Sequence, residues 1–96
     1  MKAKLTPATE SDLLRGIDWF ERIAVGLGSQ FETEFFNALE RIKHGPDLFP
    51  MNHTGYRACR LKRFTGVIYF RIDRDWVVVV GLFTSGEDEN ALKRRG

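Results

Sequence analysis

Residues 56–83 read YRACRLKRFTGVIYFRIDRDWVVVVGLF, and this stretch decides the fold. Three segments within it, 57–62, 67–72 and 76–83, are predicted to be strands, and the second and third are rich in the β-branched and aromatic residues that favour strands. The connections between them are so short that neighbouring segments can pair only in the antiparallel sense. The sequence therefore predicts three consecutive antiparallel strands at the centre of the molecule.

Alternation of side chains assigns each predicted strand two faces. The apolar face of the first two strands is formed by Cys59, Leu61, Ile68, Phe70 and Ile72, and we expect it to meet the helices. The opposite face is predicted to be open, and it carries Arg60, Lys62, Tyr69 and Arg71.

The third strand, 76–83, is apolar in both phases, which predicts a central strand covered on both sides. A partner chain is one candidate for the second cover. Gly81 lies inside this strand, where a glycine is typical of a β-bulge or of a close approach by another segment.

The N-terminal half predicts a strand followed by a helical hairpin. A strand at 2–6 ends at Pro7, and Thr9 or Ser11 is expected to cap a first helix. Ser29 and Glu32 have the spacing of a capping box that opens a second helix, which ends at the sequence His44-Gly45-Pro46. Apolar residues recur at three- and four-residue spacing in both helices: Leu13, Ile17, Phe20 and Ala24 in the first, and Phe31, Phe35, Leu39 and Ile42 in the second. The prediction is a single α+β domain over 1–96, with an antiparallel helical hairpin packed on an antiparallel sheet.

Composition bounds the class of protein. A chain of 96 residues that is 43% hydrophobic suffices for one core, and its net charge of +2 is mild. Cys59 has no second cysteine to pair with, so we expect it to pack in the core of a protein from a reduced compartment, with a reactive thiol as the alternative. No apolar run approaches the length of a membrane span, which favours a soluble cytoplasmic protein. No metal-site spacing or phosphate-binding glycine loop occurs, so no cofactor is expected.

Three quoted stretches, together with the order of the elements, carry a family resemblance. They are GLGSQF at 26–31, RLKRF at 60–64 and VIYF at 67–70. In addition, Arg57 opens the strand at 57–62, which is the second strand of the chain when the one at 2–6 is counted. In these features the chain resembles the RelE/ParE superfamily of toxins from bacterial type II toxin-antitoxin systems, a group associated with plasmid stabilisation. The resemblance extends over nearly the whole chain.

The resemblance implies a growth-inhibiting toxin that is held inactive by a cognate antitoxin, as a homodimer or as a toxin-antitoxin hetero-oligomer. RelE-like members cut messenger RNA on the ribosome without a metal, using basic residues and a tyrosine or histidine. ParE-like members have a similar fold but inhibit DNA gyrase and are not nucleases.

This sequence departs from the family at the end of the sheet. Relatives follow the last strand with a His-x-x-Arg segment, and the matching positions here are Thr84 and Glu87. The Phe-Pro-Tyr turn of relatives is replaced by Phe64-Thr65-Gly66. The acidic residues at 87–89 would repel RNA phosphate if they lay at the end of the sheet. These differences favour the ParE-like branch, and they also allow a degenerate toxin that binds antitoxin but has lost activity.

The predicted open face has two interpretations. If the protein is a nuclease, the candidate catalytic residues are Arg60, Tyr69, Arg71 and His53, which would supply cations, a proton donor and a base. If the face is instead a docking surface, it would bind an antitoxin or target through Arg57, Arg60, Lys62, Arg63, Tyr69 and Arg71, with Trp19 as a further contact on the first helix. We expect docking rather than catalysis.

Overall fold

The computed structural model describes residues 1–84, 92 and 95. In chain order the elements are β1 (Lys2–Leu5), α1 (Pro7–Ile23), α2 (Leu27–His44), a 3-10 turn (Pro46–Leu48), β2 (Arg57–Arg60), β3 (Val67–Asp73) and β4 (Trp76–Phe83). The four strands form one sheet in the order β1-β4-β3-β2, and α1 and α2 pack against each other and against one face of it. The predicted α+β class and order of elements are confirmed. Among the described residues, no helix is both long and apolar enough to cross a membrane.

The sheet is mixed rather than wholly antiparallel. The β2–β3 and β3–β4 pairs are antiparallel, as predicted, but β1 runs parallel to β4, with Lys2 opposite Trp76 and Leu5 opposite Val79. The prediction of an antiparallel sheet is therefore wrong for β1. Short connections fix the direction of the other three strands, whereas two helices and two strands lie between β1 and β4 and leave their direction open.

Helix α1 begins earlier than predicted. Thr6 is its N-cap, with a side-chain oxygen that accepts from the Thr9 N–H at 3.2 Å, and Pro7 occupies the first helical position. Proline suits that position because its missing N–H would have no helical partner. The prediction of Thr9 or Ser11 as the cap is wrong. The Thr9 hydroxyl instead donates to the Val79 carbonyl at 2.9 Å.

Helix α2 begins at Leu27, before the predicted cap at Ser29. Gly26 precedes it with a φ of +89°, a left-handed conformation that glycine adopts without strain. The carboxylate of Glu21 accepts hydrogen bonds from the N–H groups of Gly26 and Gly28, each at 3.0 Å. The first turn of α2 is thus capped by a side chain of α1, which the local capping pattern could not indicate.

The inner core lies between the helices and the sheet. Its fully buried side chains include Phe31, Phe35, Ile68, Phe70 and Val79. Cys59 and Leu61 also face this core, so the predicted apolar face of β2 and β3 is confirmed for four of its five residues. The exception is Ile72, which is 37% exposed because it lies near the turn that joins β3 to β4.

A second cluster covers the other face of the central strands. Tyr69, Val78, Val80 and Phe83 pack there with Leu92, whose side chain is fully buried. The prediction that β4 is covered on both sides is confirmed, and among the described residues Leu92 of this same chain contributes to the second cover. The prediction that Tyr69 lies on an open face is wrong, because Tyr69 is 3% exposed and its ring contacts Phe83.

A β-bulge in β4 explains how both faces are filled. Tyr69 pairs with Gly81 but the next residue, Phe70, pairs with Val79, so Val80 is the extra residue. The insertion reverses the alternation beyond it, which turns Leu82 inward and Phe83 outward. A Cβ atom on Gly81 would lie 3.0 Å from Leu92 Cδ2, so the predicted bulge and the predicted close approach occur together.

Side chains of α1 form hydrogen bonds with the backbone of β4 at the edge that β1 leaves uncovered. The carboxylate of Asp12 accepts from the Leu82 N–H at 3.1 Å and forms ion pairs with Arg15 and Arg95. The Asp12 side chain is 1% exposed. Arg95 also lies over the Phe83 ring, 5.1 Å from its centroid. Asp12 therefore connects α1, the end of β4 and the C-terminal Arg95, and we call these contacts the Asp12 junction.

Candidate functional site

A cleft with a volume of about 650 Å³ lies beside β2. We call it the β2 cleft. It lies between the end of α2, the loop that leads into β2, and the outer part of β2 and β3. Its walls are formed by Arg41, Phe49, Pro50, Asn52, His53, Ala58, Cys59, Arg60, Lys62, Val67 and Tyr69.

Positive charge dominates the β2 cleft. Arg41, Arg60 and Lys62 reach it from two different elements and the turn after β2, and none of its described lining residues is an acid. In the described part of the chain, these three cations take part in no ion pair with a carboxylate. Clefts lined by one sign of charge concentrate the field that attracts ligands of the opposite sign. The cleft is thus suited to an anionic ligand.

Cys59 lies at the inner side of the β2 cleft. Burial raises the pKa of its thiol, and the nearby Arg41 guanidinium, whose Nη2 is 3.8 Å from Sγ, opposes that shift without cancelling it. The thiol therefore stays protonated at neutral pH and has weak nucleophilic character. This environment supports the packing role that the sequence predicts for Cys59.

The structure brings some of the predicted site residues together and separates others. His53, Arg60, Lys62 and Tyr69 all line the β2 cleft. Tyr69 does so from a nearly buried position, because its ring belongs to the outer cluster. Of the four candidate catalytic residues, three thus meet at the cleft.

The fourth candidate, Arg71, lies in a separate pocket with Arg57 and is 3.7 Å from the carboxylate of Asp73. Arg57 has a structural role there, since its guanidinium donates to the Phe49 carbonyl at 2.7 Å and holds the loop before β2. The predicted face of Arg60, Lys62, Tyr69 and Arg71 is therefore not one continuous site.

Two further predicted contacts lie away from the β2 cleft. Arg63 borders a polar pocket along α2, with Ser29, Gln30, Thr33, Glu34 and Asn37. Trp19 is 62% exposed on α1 and borders a pocket that also includes Thr84. The sequence was compatible with either an exposed or a partly buried Trp19, and in the structure Trp19 lies on the surface. Glu87 and the acidic residues at 87–89 lie outside the described residues.

Sequence reasoning missed Arg41 and Asn52 as cleft residues. Arg41 lies in the last turn of α2, where a cation is ordinarily explained by the helix dipole. Asn52 lies in an irregular loop, and its carboxamide oxygen accepts from the Thr54 N–H at 2.9 Å. Neither residue has a local pattern that indicates the cleft. Across residues 1–84, 92 and 95, no three His, Cys, Asp or Glu side chains are grouped to hold a metal ion.

Comparison with solved structures identifies the fold. A chain of the chromosomal ParDE TA system from P. aeruginosa superposes with a TM-score of 0.77, at 16% sequence identity, over 88% of this chain and 95% of that chain. No protein-family model matches the sequence, and no curated protein matches it either. The RelE/ParE-like fold implied by the sequence resemblance is thereby confirmed.

Proposed function

We propose that this protein is the toxin of a type II toxin-antitoxin system, that a cognate antitoxin neutralises it, and that it acts by binding a target protein such as DNA gyrase. The observation that carries the proposal is the likeness of its fold, at a TM-score of 0.77, to a chain of a ParDE system. The likeness covers nearly all of both chains, so it concerns the whole arrangement of helices and sheet.

The positions of the candidate catalytic residues support binding rather than cleavage. A metal-free ribonuclease needs a base, an acid and cations around one phosphate. Here Tyr69 is packed against Phe83, and Arg71 lies in a different pocket from Arg60. Three of the four candidates line the β2 cleft, but Arg71 lies elsewhere and Tyr69 is nearly buried, so the set is better suited to docking than to in-line RNA cleavage.

Expression without antitoxin tests the proposed function. We expect growth arrest on induction, together with a change in plasmid supercoiling, and we expect transcript ends to be unaltered. Trp19→Ala and Arg60→Gln should relieve the arrest if these residues contact the target, whereas Arg74→Gln, which alters an exposed cation in the β3–β4 turn, should not. Normal growth of the wild-type strain would refute the toxin assignment, and arrest with unchanged supercoiling would refute gyrase as the target.

A ribosome-dependent messenger RNA endonuclease is the second candidate, because the β2 cleft collects His53, Arg60 and Lys62 without an acidic neighbour among its described lining. Mapping of transcript ends after induction separates the two. New cuts in ribosome-bound transcripts that disappear in Arg60→Ala, with Tyr69→Phe as a test of the buried hydroxyl, would establish the nuclease.

A degenerate toxin is the third candidate, motivated by Thr84 and Glu87 in place of the His-x-x-Arg segment. It predicts that the wild-type chain binds antitoxin without arresting growth, and that Thr84→His with Glu87→Arg restores toxicity. Continued inertness of the double variant would count against this candidate, and toxicity of the wild-type chain would remove it.

A further inference from the structure

We propose that this protein forms a two-fold symmetric homodimer in which Leu48 of each copy inserts into an apolar pocket beside Ile72 of the other copy. Three exposed apolar residues lie on this part of the surface: Leu48 is 82% exposed, Met51 is 61% exposed and Ile72 is 37% exposed. Single exposed apolar side chains are ordinary, but a group of them is typical of an interaction surface. The proposed function assigns no role to any of the three.

The pocket has a volume of about 180 Å³, and we call it the Ile72 pocket. Its lining consists of Met51, Gly55, Arg57, Phe70, Arg71 and Ile72. Met51, Phe70 and Ile72 supply large apolar side chains to this lining, and Phe70 is fully buried. An apolar cavity of about 150 Å³ in another protein holds benzene, so the Ile72 pocket has room for the smaller side chain of a leucine.

Arg57 connects Leu48 with the Ile72 pocket. The Arg57 side chain lines the pocket, and its Nη1 donates to the carbonyls of Asp47 and Phe49, at 3.3 and 2.7 Å. Asp47 and Phe49 directly precede and follow Leu48, so Leu48 and the pocket are neighbours on one surface. Leu48 is not among the described residues that line the pocket. A surface that carries both a projecting side chain and a pocket for it can be complementary to itself across a two-fold axis.

The turn that carries Leu48 is held in place within each copy. The Leu48 N–H donates to the Gly45 carbonyl at 3.1 Å, and the Phe49 N–H donates to the Pro46 carbonyl at 3.3 Å. The Leu48 side chain lies over Gly45, because a Cβ atom on that glycine would be 2.8 Å from Leu48 Cδ1. A side chain that is ordered before association loses less conformational entropy when it binds. Leu48 is therefore presented in a defined position.

Opposite charges flank Leu48 and the Ile72 pocket. Asp47 is exposed beside Leu48, whereas the cations Arg57 and Arg71 border the pocket. Arg71 lies 3.7 Å from Asp73, but that ion pair is exposed and water screens it. When Leu48 of one copy enters the pocket of the other, Asp47 approaches the cations at the border of that pocket. A wholly acidic or wholly basic partner would meet like charge at one of the two places, whereas a second copy meets opposite charge at both.

Two-fold symmetry determines the size of the assembly. The dimer contains the Leu48 contact twice and uses both surfaces of both copies, so the assembly closes at two chains. The β2 cleft offers no such arrangement, because its described lining carries cations without an acid and two copies of it would repel each other. The surface around Leu48 is small beside that of a tight complex, so we expect a dissociation constant on the order of 10 μM.

Sedimentation velocity of the full chain tests the proposal, at concentrations from about tenfold below to about tenfold above the expected dissociation constant. We expect a reversible equilibrium between monomer and dimer. Leu48→Ala should weaken the dimer at least about tenfold, because the contact is lost twice. Leu48→Asp should abolish the dimer, because a carboxylate would enter an apolar pocket. Leu14→Asp is the matched control, since Leu14 is 68% exposed on α1, and this variant should dimerise as well as the wild type.

Cross-linking identifies the contact itself. When chains carrying Leu48→Cys are mixed with chains carrying Ile72→Cys, a thiol oxidant should join one of each through a disulfide, whereas chains carrying Leu14→Cys in place of Leu48→Cys should not be joined. Cys59 is 2% exposed and does not compete.

The proposal is overturned if the wild type stays monomeric over the whole concentration range, if Leu48→Asp dimerises as well as the wild type, or if the Leu14→Cys chains cross-link as efficiently as the Leu48→Cys chains. Neither experiment contains an antitoxin or a target. The outcome is therefore independent of the proposed function.

Discussion

Removal of the buried Asp12 carboxylate should destabilise the fold strongly. Its side chain is 1% exposed and is bonded to the Leu82 N–H, to Arg15 and to Arg95. Asp12→Ala removes the acceptor of the Leu82 N–H and the carboxylate partner of Arg95, whose guanidinium also donates to the Val80 carbonyl. Removing one partner of a buried ion pair costs about 3–5 kcal/mol, which includes the penalty for the unpaired groups. A domain of ordinary stability would lose a large fraction of its unfolding free energy.

Asp12→Asn separates the contribution of the ion pairs from that of the hydrogen bond to the Leu82 N–H. The carboxamide oxygen can still accept from Leu82, so this variant should lose the charge interactions and retain the backbone bond, at a cost of about 1–3 kcal/mol. Arg15→Ala should cost about 1 kcal/mol or less, because the Arg15 side chain is 67% exposed and its ion pair is screened by water.

Urea unfolding monitored by tryptophan fluorescence and circular dichroism measures these differences. A double-mutant cycle with Arg95→Ala isolates the coupling between Asp12 and Arg95, which we expect to exceed about 1 kcal/mol. The reasoning is refuted if Asp12→Ala unfolds within about 1 kcal/mol of the wild type, or if the cycle gives no coupling.

Three further changes test other parts of the structure. Gly28→Ala should destabilise the fold by about 1–3 kcal/mol in urea unfolding, because its Cβ would lie 2.6 Å from the Ile17 carbonyl oxygen; no change would show that the helices separate easily. Burial raises the pKa of the Cys59 thiol, so the folded state keeps its proton above the ordinary pKa of about 8.5, where the unfolded state loses it. Stability should therefore fall more steeply with rising pH in the wild type than in Cys59→Ala, and equal slopes would contradict this. Trp19→Ala should change stability by about 1 kcal/mol or less but weaken binding of the target or antitoxin about tenfold in titration calorimetry, and unchanged affinity would remove Trp19 from the interface.

The sequence predicted those features that depend on local pattern. Apolar spacing located both helices, and alternation located β2, β3 and β4 with the correct inward residues Ile68 and Phe70. Gly81 indicated the bulge, because a glycine inside an apolar strand adds no side chain to the packing and is typical of a bulge or a close approach. These signals lie within a few residues of the features that they indicate.

Features set by distant contacts were not predictable in the same way. The cap of α2 is provided by Glu21 from the preceding helix, and the burial of Tyr69 depends on the bulge and on Leu92. The candidate site shows the same limit. Arg60, Lys62 and His53 were predicted by their chemistry, but the separation of Arg71 and the contribution of Arg41 follow from tertiary packing.

The parallel pairing of β1 with β4 has a consequence for the order of folding during synthesis. The helical hairpin is stabilised by local contacts, such as those from Glu21 to Gly26 and Gly28, so it can form as soon as α2 has emerged from the ribosome. β1 is made well before its partner residues 76–79, because both helices and two strands lie between them. Its backbone groups must therefore stay hydrated until β4 is complete, which makes docking of β1 a late step in the folding of this domain.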